Sequence, residues 1–232
     1  MRAENSPLSL AAQDDHNHPK LRFLIKLGEQ LHRRGWMLGT SGSLSFCETR
    51  DPLTIVITVS GADKGALELE TFIKVTDRDN IFATLGDPKA SSEAFFKGDA
   101  RPSGESLVHR AIYLAIPSAT AVVHTHSVWS TLCSQLVAPG GALRMEGLEM
   151  LKGIGHWEES PLEIPVVANA RHIPTLADLV KRAASNSPQV PGVLVEGHGI
   201  YLWGQDLLRA KKHAEIFEFL FEHEIRRRSL KG

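Results

Sequence analysis

His124 and His126, one residue apart, carry the most specific chemistry in this sequence. They close the run Ala121-Val122-Val123-His124-Thr125-His126-Ser127, whose small and β-branched residues followed by polar alternation predict a strand. Strand side chains repeat every two residues, so both imidazoles fall on one face. Two ring nitrogens side by side on a rigid strand form a ready grip for a divalent transition metal. The plainer alternative is a pair of strand-end histidines bonded to nearby carbonyls. A third histidine, His198, stands between Gly197 and Gly199 after an apolar run at 193–195. Glycine on both sides lets that backbone turn sharply and present the ring. Three nitrogen ligands with an open fourth position describe a catalytic zinc site; a structural one more often has four protein ligands.

Two carboxylates accompany the histidines. Glu105 lies in Arg-Pro-Ser-Gly-Glu-Ser (101–106), in the first turn of a helix expected over 105–116 with Ser103 as its N-cap. The helix dipole favours a carboxylate there, which is reason enough for its presence. Glu149 lies between Leu148 and Met150 in a short helix expected over 146–154. Partial burial there would raise its pKa and suit it to proton transfer; an exposed helix residue is the commoner case. Two loops rich in glycine and hydroxyls suit a phosphate: Gly-Thr-Ser-Gly-Ser-Leu-Ser (39–45), with Ser43, and Ser60-Gly61-Ala62-Asp63-Lys64-Gly65. Neither has the spacing of a nucleotide P-loop or a dinucleotide fingerprint. Lys64 reads either as part of the anion cradle or as a solvated loop cation. A metal, phosphate donors and a carboxylate together suggest enolate chemistry on a sugar phosphate.

The elements that must position these residues read as one α/β domain over 20–232, preceded by a polar, loosely ordered arm at 1–19 that contains His16 and His18. Apolar spacing predicts helices over 21–31, 128–136, 174–184 and 207–228, and a helical turn at 67–72. Strands are expected over 53–59, 164–168 and 193–196, with 200–203 as the hairpin partner of the last. The stretch 75–85 reads as a strand and a turn. The 232 residues carry a net charge of −1, so no global field argues for nucleic acid or an anionic membrane. Two distant cysteines, Cys47 and Cys133, argue against a disulfide scaffold or a thiolate zinc site. With no apolar run near ~20 residues and no signal-peptide core, the cytoplasm is the expected location.

Five motifs in order carry a resemblance: Gly-Thr-Ser-Gly-Ser-Leu-Ser (39–45), Thr-Val-Ser-Gly (58–61), Pro-Ser-Gly-Glu (102–105), His-Thr-His-Ser (124–127) and Gly-His-Gly-Ile-Tyr-Leu-Trp-Gly (197–204). Over about 20–228 the chain resembles the class II aldolase/adducin family. Within it, 149–154, 172–179 and Ser60-Gly61…Lys64 look most like the branch that removes water from a methylthio-substituted ketose phosphate. The resemblance implies a three-layer α/β/α fold around a central, mainly antiparallel sheet. It implies one Zn²⁺ per subunit on His124, His126 and His198, and a homotetramer with sites near subunit interfaces. Phosphate would be held by Ser43, Ser60, Gly61 and Ser103, with Lys64 assisting; where Ser43 stands, sugar-phosphate aldolases of the family usually have asparagine. Aldolases of the family use the glutamate matching Glu105 as acid/base, and the dehydratases the one matching Glu149, which is the assignment favoured here. Aldolase or epimerase chemistry on the same metal, and a non-catalytic adducin-like scaffold, are the alternatives.

Overall fold

The computed structural model describes residues 18–77, 101–157 and 160–230. The expectations for 1–17, with His16, and for 78–85 lie outside the described residues. Helix α1 (Pro19–Arg33) is followed by strands β1 (Ser43–Arg50), β2 (Leu53–Thr58) and β3 (Phe72–Thr76). Then come α2 (Ser106–Ala115), β4 (Ala121–Thr125), α3 (Val128–Ser134) and β5 (Ala142–Met145). A 3-10 turn (Glu149–Ile154), β6 (Leu162–Val167), α4 (Ile173–Asn186), β7 (Gly192–Val195), β8 (Gly199–Gly204) and α5 (Leu207–Ser229) complete the described chain.

The eight strands form one sheet in the order β3-β2-β1-β4-β8-β7-β6-β5. All neighbours run antiparallel except β6 and β7, and α4 makes the crossover that a parallel pair requires. Helices cover both faces. On one, Leu24 and Leu27 of α1 and Phe217 and Leu220 of α5 pack on Leu44, Val123 and Leu202. On the other, Val108 and Ile112 of α2 and Val180 of α4 pack on Ile55, Val122 and Val193. Burial on both faces explains why these strands read as apolar runs rather than as alternation. No helix among the described residues is long and apolar enough to cross a membrane. Cys47 and Cys133 are both buried and unpaired with each other.

Local differences from the expectations have local causes. Helix α1 starts two residues earlier than expected: His18 caps it, its Nδ1 accepting from the Leu21 N–H at 3.4 Å, and Pro19 opens the helix. The cap of α2 is Glu105, not Ser103; the Ser103 carbonyl instead accepts from both the N–H and the hydroxyl of Ser106, a turn that precedes the helix. The helix expected over 146–154 is six residues of 3-10 turn. Strand β5, pairing with β6 at the sheet edge, has no counterpart in the sequence reading.

Candidate metal centre

β4 lies mid-sheet, with Ser43 of β1 and Tyr201 of β8 opposite His124 in register. Two glycines let neighbouring backbone close in around its end. A Cβ on Gly199 would lie 2.0 Å from the Thr125 carbonyl oxygen, and one on Gly42, at φ +74°, would lie 2.6 Å from that of His124. Helix α3 follows β4 directly, capped by Ser127, whose hydroxyl accepts from the Ser130 N–H at 2.9 Å. Two more of its hydroxyls reach the third histidine. Ser134 Oγ accepts from the Gly197 N–H at 2.9 Å, and the Thr131 hydroxyl, 2.8 Å from the Ser127 carbonyl, also lies 3.3 Å from that of His198 and shares its proton between them. β4 ends at Thr125, so His124 stands on the strand and His126 just past it, and one short helix sets the distance between that strand end and the turn that carries His198.

The three Nε2 atoms converge. His124 to His126 is 2.7 Å, His124 to His198 3.3 Å, and His126 to His198 3.2 Å. Glu105 joins them, Oε2 lying 3.2 Å from His124 Nε2 and Oε1 3.3 Å from His198 Nε2. His124 is fully buried and stacked on Tyr201 with ring centroids 3.9 Å apart. Its Nδ1 is 3.0 Å from the Ile200 carbonyl. A carbonyl only accepts, so Nδ1 carries the proton and Nε2 turns its lone pair to the cluster. Four electron-pair donors thus meet with no polar hydrogen obliged to lie between them, and Glu105, His124, His126 and His198 form one metal-capable group. Tetrahedral ligands at zinc–nitrogen distances stand ~3.3 Å apart, which four of these five separations approach. The residues fit a divalent ion.

The electrostatics agree. Burial, then the charges of His124 and His198, lowers the pKa of His126 to about 3, which keeps its ring neutral and able to ligate. Burial alone would raise the Glu105 carboxyl; in the ion-free cluster a proton taken up by the facing His124 or His198 opposes this and holds the carboxyl below the usual carboxylate range.

The loops expected to hold phosphate come together beside this cluster. The Ser60 N–H donates to the Arg101 carbonyl at 2.7 Å and the Ser103 N–H to that of Thr58 at 3.3 Å, so the two segments lie side by side. Ser60 and Gly61 are exposed, and Ser103 is half-buried. Lys64 is not a solvated cation: it is 1% exposed, donating to the carbonyls of Thr40 at 3.1 Å and Ala62 at 2.7 Å, which ties the first glycine loop to the second. Burial lowers its pKa, opposed by the charges of Glu105 and Asp63. Ser43 is fully buried, its hydroxyl between Glu105 Oε2 at 3.3 Å and His109 Nε2 at 2.8 Å. Glu149 is not brought into the cluster. Its side chain is 82% exposed and paired with Lys152 at 3.0 Å, so the partial burial expected of it is absent within one chain. His109 and Glu218 escape the sequence reading. Glu105 and His109 are four residues apart, on one helix face, which is the available signal for the first; a carboxylate beside Phe217 and Leu220 is the signal for the second.

Known proteins share this arrangement of sequence and fold. The family model for the Class II Aldolase and Adducin N-terminal domain matches residues 22–225. Methylthioribulose-1-phosphate dehydratase of Xanthomonas oryzae pv. oryzae is 36% identical over 234 residues, 100% of this chain and 96% of that protein. The protein of the same name from Persephonella marina is 37% identical over 204 residues, 88% of this chain and 87% of its own. Among solved structures, L-fuculose-1-phosphate aldolase from Thermus thermophilus has the same fold, with a TM-score of 0.68 at 24% identity, covering 92% of this chain and 97% of that one. A family match running from α1 to the far end of α5, with relatives more than a third identical over most of the chain, leads to one assignment: the chain belongs to the class II aldolase and adducin family.

Proposed function

We propose that this chain is a metal-dependent hydro-lyase that removes water from 5-methylthioribulose 1-phosphate, giving 2,3-diketo-5-methylthiopentyl 1-phosphate in methionine salvage. The observation that carries the reading is the meeting of His124, His126, His198 and Glu105 in a chain similar to the dehydratases along its whole length. Zinc, one ion per chain, is the proposed metal, held by the three histidines beside Glu105. When bound, such an ion supplies Lewis-acid polarisation of a substrate carbonyl.

The chain's own residues do the rest. Ser60 and Ser103 offer their hydroxyls and Gly61 its amide to the phosphate, while Lys64 fixes the two loops and gives the pocket positive potential. The hydroxyl of Ser43 is directed at Glu105, so its part in the proposal is to hold that carboxylate. Glu105 accepts from Ser43 and its two oxygens face His124 and His198, so both are already engaged at the cluster. Glu149, outside that network, is the proposed acid/base: it takes the C3 proton and returns it to the departing C4 hydroxyl, which leaves as water. The resulting enol tautomerises to the diketone. Because Glu149 stands on the surface of a single chain, the proposal includes the homotetramer that the family resemblance implies, whose packing brings Glu149 to a histidine cluster. Such an enzyme belongs in the cytoplasm.

The test is a product assay. The zinc-loaded protein is expected to convert methylthioribulose 1-phosphate to a species lighter by one water. Release of a two- or three-carbon aldehyde would assign it to the aldolases instead.

A further inference from the structure

Behind Glu105 a buried line of hydrogen bonds runs on from Ser43 to residues that the proposed chemistry does not use. Ser43 Oγ donates to Glu105 Oε2 at 3.3 Å and lies 2.8 Å from His109 Nε2. His109 Nδ1 lies 2.7 Å from Ser45 Oγ, which is 2.7 Å from the Tyr113 hydroxyl. Ser43, Ser45 and His109 are 0% exposed and Tyr113 1%.

Proton counting gives this line one direction. A carboxylate only accepts, so the Ser43 proton is committed to Glu105. Ser43 Oγ must then accept from His109, which places a proton on Nε2. Both ring nitrogens face serine hydroxyls in a dry interior with no carboxylate oxygen against them, so the ring carries one proton only, Nδ1 is bare, and it accepts from Ser45. Ser45 in turn accepts from Tyr113. Reversing any member would set two donors or two bare acceptors against each other in a dry interior, at the penalty of an unmade buried hydrogen bond.

We propose that His109 is a positioning residue, locked as its Nε2–H tautomer, which through Ser43 fixes the orientation of Glu105 at the histidine cluster. The inference rests on the metal-dependent reading above, because Glu105 matters only if the cluster binds an ion. The adjacent β1 and α2 hold the line rigid: Ser43 and Ser45 share one face of β1, and His109 and Tyr113 are four residues apart on α2.

The first test needs no variant. Long-range ¹H–¹⁵N correlation on histidine-labelled protein, metal-free and zinc-loaded, should show His109 protonated at Nε2 and bare at Nδ1, assigned by the signal that His109→Gln removes. The opposite tautomer, or an imidazolium at neutral pH, overturns the proposal. The second test is Ser43→Ala. It should flip His109 to the Nδ1–H form and weaken zinc binding ~10–100-fold in a chelator competition. Ser43→Thr, which keeps the hydroxyl, should restore the tautomer and most of the affinity. A Ser43→Ala protein with unchanged tautomer and zinc affinity also overturns it. Failure of the wild type to dehydrate methylthioribulose 1-phosphate would sink the substrate assignment and leave the tautomer and zinc readouts standing.

Discussion

Thr125 and Glu218 are hydrogen-bonded across the back of the ligand strand, Thr125 Oγ1 donating to Glu218 Oε1 at 3.3 Å. Thr125 lies between His124 and His126 and faces the other way, so α5 grips the strand from behind while the imidazoles face the cluster. Glu218 is 1% exposed, and its second carboxyl oxygen has no partner among the described residues.

That burial makes stability depend on pH. Burial raises the Glu218 carboxyl to about 7; hydrogen bonds from Ser127 and Thr125 offset part of the rise and Glu222 adds to it. The folded state then holds a proton that the unfolded chain releases near pH 4.5, so the contribution is fully present below pH 4.5 and lost as pH rises to 7. Urea unfolding of the metal-free protein at pH 5 and pH 8 should show wild type losing on the order of 3 kcal/mol relative to Glu218→Gln over that span. Parallel pH curves for the two proteins would refute the account.

Removing one imidazole should release the ion. His126→Ala and His198→Ala are expected to emerge from dialysis without stoichiometric metal, while wild type retains it, as elemental analysis of untagged protein would show. Excess zinc should raise the unfolding free energy of wild type by ~4 kcal/mol at 1,000 times Kd and that of the variants much less.

The two carboxylates separate by metal content. Glu149→Gln should keep its metal and lose ~10²–10⁴-fold in kcat, the usual share of a general base. Glu105→Gln should lose metal affinity along with turnover. Mixing inactive Glu149→Gln with inactive His198→Ala subunits should restore activity if assembly brings Glu149 of one copy to the histidines of another. A nearly wild-type Glu149→Gln alongside a metal-loaded but dead Glu105→Gln would reverse the assignment.

The α3 hydroxyls should matter to His198 alone. Its Nδ1 is buried without a partner among the described residues, so its ring is held through the backbone. Ser134→Ala, which unties the Gly197 N–H, is expected to speed zinc release roughly fivefold, in line with about 1 kcal/mol for one hydrogen bond. Stopped-flow chelation measures this, and an unchanged rate would count against the clamp.

What can be read from the sequence follows from the range of the forces involved. The alternation that puts His124 and His126 on one face, and the glycines that bracket His198, are local and legible. So are the long helices, whose apolar faces recur at helical spacing. Strand β5 offers only Leu143 and Met145 as an alternating pair, too short a pattern to stand out after Gly140-Gly141. The Ser43–Glu105 contact spans 62 residues and exists only because β1 lies beside β4, so no spacing reveals it. Lys64 can pass for a loop cation because sequence does not show which carbonyls will surround it. The apolar neighbours of Glu149 suggest half-burial, but in the 3-10 turn Met150 is itself exposed and it is Leu151 and Ile154 that point inward.

β4 is stitched along both edges, to β1 and to β8, whereas His198 rides a turn. The backbone of His124 therefore cannot shift unless the middle of the sheet comes apart, and His126, just past the end of β4, is pinned by its N–H donating to the Trp36 carbonyl at 2.8 Å, while His198 can swing by bending a few residues. Ion exchange should accordingly behave like a latch, with cargo seated first on the fixed pair and secured by His198, and departure beginning with that same arm.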